Sequence, residues 1–238
     1  MDLDDLLADE LAQVAPVGDA QISVAVMDLE SGDRAVFESD QYDTASIVKV
    51  DILATLLLQA QDAGRALTAQ ERTHAASMIQ NSDNAATTVL WDTIGGAAGL
   101  DAANERLGLT ATSAGRDGNW GLTLTTAEDQ LILLNAIFGT ESVLTRTDRQ
   151  YIENLMENVA SGQDWGVSAA DTSAALKNGW LPRTATGLWD INSIGRVHVD
   201  GRDCVIAVLS DGNRTQAEGI ALVEDATRAA VSVVNSIR

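Results

Sequence analysis

The sequence predicts an α/β fold in which an antiparallel sheet, built from both chain ends and flanked by helices, brackets an inserted all-helical subdomain. Three observations predict it. Strand patterns occur between Ile22 and Phe37 and again in the last third, helical patterns fill the middle, and Asp200-Gly201-Arg202 stands as a hairpin turn between two apolar runs. The expected division is an α/β subdomain of residues 1–43 and 172–238 around a mainly helical subdomain of residues 44–171, with a cleft between them.

Each element has its own signal. Leu3, Leu6, Leu7, Leu11 and Val14 recur at helical spacing, and Pro16 and Gly18 close that helix. Ile22 to Leu29 reads as a strand, with Glu30-Ser31-Gly32-Asp33 turning into a second strand that ends near Phe37. From Ile47 to Gln59 nearly every residue is Ile, Val, Leu or Ala, while Asp51, Thr55 and Gln59 recur every fourth position. The expectation is a buried helix with one thin polar stripe, stopped by Gly64. Thr68 caps a helix through Met78 and Ile79, and Asn81-Ser82-Asp83-Asn84 breaks it. Ala85 to Thr93 is helical again, and Gly95-Gly96 separates it from a helix over Ala98 to Leu107. Gly108 to Thr123 has no period and reads as a surface loop. Thr125 or Thr126 caps a helix to about Phe138, and Thr145 caps another through Val159. Ser161 to Ser173 is loop-like. Ala174 to Asn178, Trp189 to Val199 and Asp203 to Leu209 read as strands, and Ala217 to Ile237 as a closing helix.

A chain of 238 residues, 45% hydrophobic and with only two prolines, can bury a large core. The formal net charge of -20 argues against nucleic acid and anionic membrane surfaces as partners. The acidic residues are spread along the chain, as on a solvated surface. No apolar run is long enough to span a bilayer. The one cysteine, Cys204, excludes an internal disulfide and a cysteine metal cluster, and its apolar neighbours make it a small buried hydrophobe. Met1-Asp2-Leu3-Asp4-Asp5 lacks the basic start and apolar stretch of a secretory signal. The expectation is a cytoplasmic protein if the chain is whole, and an exported or cell-surface one if a leader precedes it.

The chemistry centres on Ser46, which starts the apolar helix three residues before Lys49, so both side chains share a face. A hydroxyl at the positive end of a helix with an amine in reach can be activated without histidine. A Ser-x-x-Lys pair alone is common. The chain, however, has 13 arginines and only two lysines, Lys49 and Lys177. Lysine can release its proton when desolvated and arginine cannot, so these two positions stand out. Ser82-Asp83-Asn84 lies between two helices, where it would present a hydroxyl and an amide to a cleft, although alone it reads as a helix cap. Lys177-Asn178-Gly179 ends a strand, and its glycine allows a close backbone approach.

In this order and spacing the three elements resemble the S-x-x-K, S-D-N and K-T-G motifs of the serine β-lactamase and penicillin-binding-protein superfamily. Thr125-Thr126 opening a helix, Asn192-Ser193-Ile194-Gly195 in a strand and Val208-Leu209-Ser210-Asp211-Gly212 also look like class A relatives. The resemblance runs from about residue 20 to the C-terminus. It implies a β-lactamase/transpeptidase-like fold, a small-molecule amide, ester or β-lactam-like substrate, and no metal or cofactor. It also implies roles: Ser46 attacks a carbonyl and carries the acyl group, Lys49 takes the serine proton, and Ser82 relays a proton to the leaving group. Lys177 attracts a substrate carboxylate, Asn84 bonds a substrate amide, and Asp83 braces its loop. Asn178, Gly179 and Trp180 complete the substrate side, the backbone N–H groups of Ser46 and Trp180 forming an oxyanion hole. His74 and His198 have no part and are expected to be structural or exposed.

Two departures qualify the resemblance. Asn178 stands where the motif has a hydroxyl, which weakens or reorients carboxylate binding. Between Gly108 and Thr125 there is no glutamate, so the E-x-x-L-N element that positions a deacylating water in class A enzymes is missing. Asp117 is the only carboxylate there, and its simpler reading is a turn residue. The expectation is therefore a serine acyl hydrolase with weak or no β-lactamase turnover. An acyltransferase or amidase of small-molecule metabolism and a non-catalytic β-lactam- or peptide-binding sensor are the alternatives. Trp120, Trp165 and Trp180 are candidates to line the cleft, core packing being the simpler use of at least one of them.

Overall fold

The computed structural model describes residues 2–14, 16, 18–37 and 40–236. The elements are α1 (Leu3–Leu11), β1 (Gln21–Asp28), β2 (Arg34–Phe37), β3 (Tyr42–Asp43), α2 (Val48–Asp62), α3 (Ala69–Gln80), α4 (Asn84–Ile94) and α5 (Gly96–Leu107). There follow β4 (Leu124–Thr125), α6 (Ala127–Phe138), α7 (Arg146–Met156), β5 (Ala175–Pro182), β6 (Trp189–Val199), β7 (Arg202–Asn213) and α8 (Gln216–Ser236).

The main sheet has five antiparallel strands in the order β2-β1-β7-β6-β5, so the two ends of the chain meet where β1 pairs with β7. The period of β7 explains its central place. Cys204, Ile206 and Val208 pack with Leu7, Leu11, Val223 and Val233 of α1 and α8 on one face. Val205, Ala207 and Leu209 face the other way, into a core shared with α2 and α6. A strand buried on both faces reads as a continuous apolar run, which is how Cys204 to Leu209 appears. The β6–β7 hairpin turns at Asp200 and Gly201, with φ of 51° and 83°, the pair of positive angles that a tight right-twisting hairpin requires.

Helix α2 threads the middle of the helical layer. Its expected polar stripe does not reach solvent: Asp51 and Thr55 are 1% and 0% exposed, with α5 packed against α2 and its Asn104 and Asp101 beside Asp51. The helices that follow begin at local caps. Thr68 and Glu71 form a reciprocal capping box on α3, and Asp83, Thr126 and Thr145 each accept a backbone N–H in the first turn of α4, α6 and α7.

Boundaries differ from expectation in a few places. Helix α1 ends at Leu11 and α7 at Met156, three residues early in each case. Strand β5 continues to Pro182, which an edge strand tolerates because the missing N–H faces away from the ladder. The expected loop from Gly108 to Thr123 holds a 3-10 turn at Trp120–Leu122, and β3 pairs with β4 at its end. Two-residue strands are too short to show a period. Ile237, the expected end of the closing helix, lies outside the described residues. No helix among them is long and apolar enough to cross a membrane.

Candidate active site

The site is assembled where β5, the edge strand, runs against the turn that precedes α2. That turn is a 3-10 helix over Ala45–Ile47, with Ala45 in the left-handed region at φ 47°. Ser46 therefore sits just ahead of the α-helix rather than inside it. Asn192 of β6 holds the turn from below: its amide donates to the carbonyls of Asp43 and Thr44 at 2.9 and 3.1 Å, and its oxygen accepts the N–H of Ser210 at 3.1 Å. Gly179 crosses the turn so closely that a Cβ there would lie 2.7 Å from Ser46 N and from Thr44 O. A strained backbone held by partners on two strands is the signature of a site whose geometry matters.

Five side chains meet in one hydrogen-bonded set. Lys49 Nζ lies 2.9 Å from Ser46 Oγ, 3.0 Å from Ser82 Oγ, 2.7 Å from the Ser82 carbonyl and 2.8 Å from Asn84 Oδ1. Lys177 Nζ reaches the same Ser82 hydroxyl at 3.0 Å and the Asn178 carbonyl at 2.9 Å. Ser82 is presented between the lysines by a left-handed backbone, φ 55°, in the turn between α3 and α4. Asp83 caps α4 by accepting the N–H of Ala86 at 2.6 Å, so it braces this turn. Both lysines are buried, at 0% and 1% exposure, and no carboxylate lies in hydrogen-bond contact with either among the described residues.

Burial disfavours charge on both amines. It lowers Lys49 to about 7, against a smaller opposing pull from Asp83. It brings Lys177 well below its ordinary value, and the neighbouring Lys49 adds to this. An amine that titrates near neutrality at 2.9 Å from a hydroxyl is placed to accept that hydroxyl's proton.

A cleft of about 290 Å³ opens over Ser46, lined by Asn84, Trp120, Gly121, Trp180 and Leu181 among others. The ring of Trp120 covers Lys49, 5.0 Å from Nζ to its centroid. Gly179 and Trp180 are at the site. The Asn178 carbonyl accepts from Lys177, which turns the backbone groups of residue 178, and two residues on those of Trp180, away from the β6 ladder. Asn178 itself departs from expectation. Its side chain donates to the carbonyls of Gln163 and Trp165 at 2.9 and 2.8 Å, away from the lysines. Strand alternation explains this, because residues 177 and 179 take the face toward Ser46 and 178 takes the other. Asn178 thus anchors a loop and presents no side chain to a ligand carboxylate.

The remaining candidates separate cleanly. Trp165 lies tilted against Trp180, with centroids 6.2 Å apart and planes at 57°, and packs with the α1–α8 side of the sheet. Asp117 is exposed at the tip of a turn, φ 55°, outside the cleft lining. His198 is exposed and bonds Asp203 at 3.0 Å. His74 is partly buried on α3, away from the cleft lining. Two residues already singled out in the sequence take roles that it did not assign: Asn192 anchors the Ser46 turn, and Trp120, a candidate to line the cleft, also covers Lys49. A polar residue inside an apolar strand was a usable signal for the first role, and nothing local marked the second.

This arrangement of sheet and helices is the fold of class A β-lactamases and of the penicillin-binding protein PBP-A. A class A β-lactamase from Bacteroides cellulosilyticus superposes with a TM-score of 0.85 over 99% of each chain, at 18% identity. The penicillin-binding protein PBP-A superposes with a TM-score of 0.83 over 100% of this chain and 98% of its own, at 20% identity. Residues 67–234 match the model of the beta-lactamase enzyme family, and the chain belongs to that family. In sequence it is 36% identical over 172 residues to "Putative lipoprotein LppW" of Mycobacterium tuberculosis and of Mycobacterium bovis, a match covering 68% of this chain. The match takes in 54% of those proteins, so the chain spans about half the length of these relatives.

Proposed function

We propose that the protein is a serine acyl hydrolase that forms an acyl-enzyme on Ser46 and releases it slowly. One observation carries this reading: the buried Lys49 and Lys177 and the half-buried Ser46 and Ser82 form a single hydrogen-bonded set, with no carboxylate bonded to either lysine among the described residues. Neutral Lys49 takes the proton of Ser46 as Oγ bonds to the substrate carbonyl. The backbone N–H groups of Ser46 and Trp180 stabilise the oxyanion, a contribution of about 3 kcal/mol per donor in comparable sites. As the tetrahedral intermediate collapses, the bond to the leaving group breaks, and that group takes its proton from Ser82, which is resupplied by the Lys49 ammonium at 3.0 Å. Asn84, on the cleft wall, bonds a substrate amide. A substrate carboxylate restores the charge that burial discourages on Lys177. The substrate is a small amide, ester or β-lactam-like molecule, held between the sheet-bearing residues 1–43 and 172–238 and the helical residues 44–171.

Release of the acyl group needs a water and a base, and Asp117 is not placed to act as one. The same lack of a carboxylate favours a second reading, acyl transfer to an amine or alcohol acceptor. Intact-protein mass spectrometry with a panel of β-lactams and activated esters tests the proposal. The expected result is a long-lived adduct that Ser46→Ala abolishes. No adduct with any reagent would overturn the hydrolase reading, and fast turnover of a chromogenic cephalosporin would overturn the slow release.

A further inference from the structure

We infer that Trp120 is a shielding residue, whose indole closes the side of the Ser46–Lys49 pair from which a hydrolytic water would have to approach the acyl ester. The inference rests on the acyl-enzyme reading and adds a cause for slow release. Hydrolysis of the ester requires a water oxygen to bond to the acyl carbon while a base takes one of its protons. The bond from that carbon to Ser46 Oγ then breaks, and Oγ regains a proton. Among the described residues, Lys49 is the titratable base in contact with Ser46. Four oxygens already surround its Nζ, and the face they leave is covered by the Trp120 ring at 5.0 Å. Lys49 is 0% exposed.

The ring and the loop that carries it each have a contact that holds them in place. Its Nε1–H donates to Thr88 Oγ1 on α4 at 3.4 Å, and the next residue, Gly121, lies against Ala45, where a Cβ would be 3.9 Å from the Ala45 Cα and carbonyl oxygen. The loop carrying Trp120 therefore docks on the same turn that carries Ser46. Trp120 also packs against the helical core, which is the use that a purely structural role would give it. Packing alone would leave both the titration of Lys49 and the life of the ester unmoved by a smaller residue. A shield would not.

With two lysines in the chain, [13C]lysine labelling gives Lys49 and Lys177 separate NMR signals, and Lys49→Arg assigns them. In Trp120→Ala, water replaces the ring and hydrates the ammonium, so the Lys49 midpoint rises above that of the wild type, while Trp120→Phe stays close to it. Trp120→Leu keeps an apolar contact with the core and serves if the alanine variant does not fold. In parallel, the benzylpenicillin or activated-ester adduct on Ser46 loses about tenfold or more of its lifetime in the opened variant and not in Trp120→Phe. An unmoved Lys49 midpoint in a folded opened variant, or an adduct as long-lived as that of the wild type, overturns the shield. If the wild type forms no adduct, it is the hydrolase reading that fails, and the Lys49 titration still decides the question for Trp120.

Discussion

If Lys49 is the base that activates Ser46, acylation must follow the titration of a buried amine. A lysine with its ordinary value of 10.5 would be neutral at pH 7 in only about one molecule in 3,000. Burial brings Lys49 to about 7, so roughly half of the molecules hold the free base at that pH. Well below the midpoint each unit of acidification removes about tenfold of that population, so the acylation rate should fall about fiftyfold from pH 7 to pH 5 and level off above pH 8. The assay is the second-order rate of Ser46 adduct formation with a neutral activated ester, whose own charge does not change over this range. Lys49→Arg keeps a positive charge and cannot release a proton, so it should lose the reaction while remaining folded. A flat profile between pH 5 and 8, or full activity in Lys49→Arg, would refute Lys49 as the base. Stability carries the opposite face of the same shift. The unfolded chain binds the Lys49 proton more tightly than the folded one, so this group destabilises the fold at low pH. That cost is relieved as pH rises from about 7 toward 10.5.

Two further outcomes are expected. Asp51 is 1% exposed and neither oxygen has a partner in good hydrogen-bond geometry; burial pushes it up to about 8, the neighbouring Asn104 amide opposing this and Asp129 and Asp101 adding to it. Folding then takes up a proton between pH 5 and 8 and stability falls by about 4 kcal/mol across that window, so Asp51→Asn should gain on the wild type by about that amount in urea titrations at pH 8 relative to pH 5. A pH-independent difference between the two proteins would show that Asp51 is not buried as an acid. Gly179→Ala places a methyl 2.7 Å from two backbone atoms of the Ser46 turn, and should cost about a hundredfold in acylation rate with the fold retained by circular dichroism. An acylation rate equal to that of the wild type would mean that the turn has room to move.

The parts of the fold that could be read directly are those whose causes are local. Thr68, Asp83, Thr126 and Thr145 cap helices within three or four residues of themselves, and the apolar run from Cys204 to Leu209 announces a strand buried on both faces. Asp200-Gly201 announces a hairpin because the positive φ angles are a property of those two residues. The candidate site was legible as three short motifs, since scarce lysines beside serines stand out in an arginine-rich chain. The short β3–β4 pair and the 3-10 turn at Ser46 were not, having too few residues to display a period.

Charge, the order of elements, the caps and the identity of Ser46, Lys49, Ser82 and Lys177 as the residues to watch are all written in the chain itself. Tertiary structure alone brings Lys49 to a Ser82 that is 33 residues away, and Lys177 to the same hydroxyl across 95 residues. It also turns Asn178 toward a loop, lays Trp120 over Lys49, and buries the stripe through Asp51. These outcomes depend on which faces of β5, α2 and the 108–123 segment are covered by residues distant in sequence. Such contacts also set the burial that moves the lysines toward neutrality, and so the reactivity of the site is a property of the packed molecule.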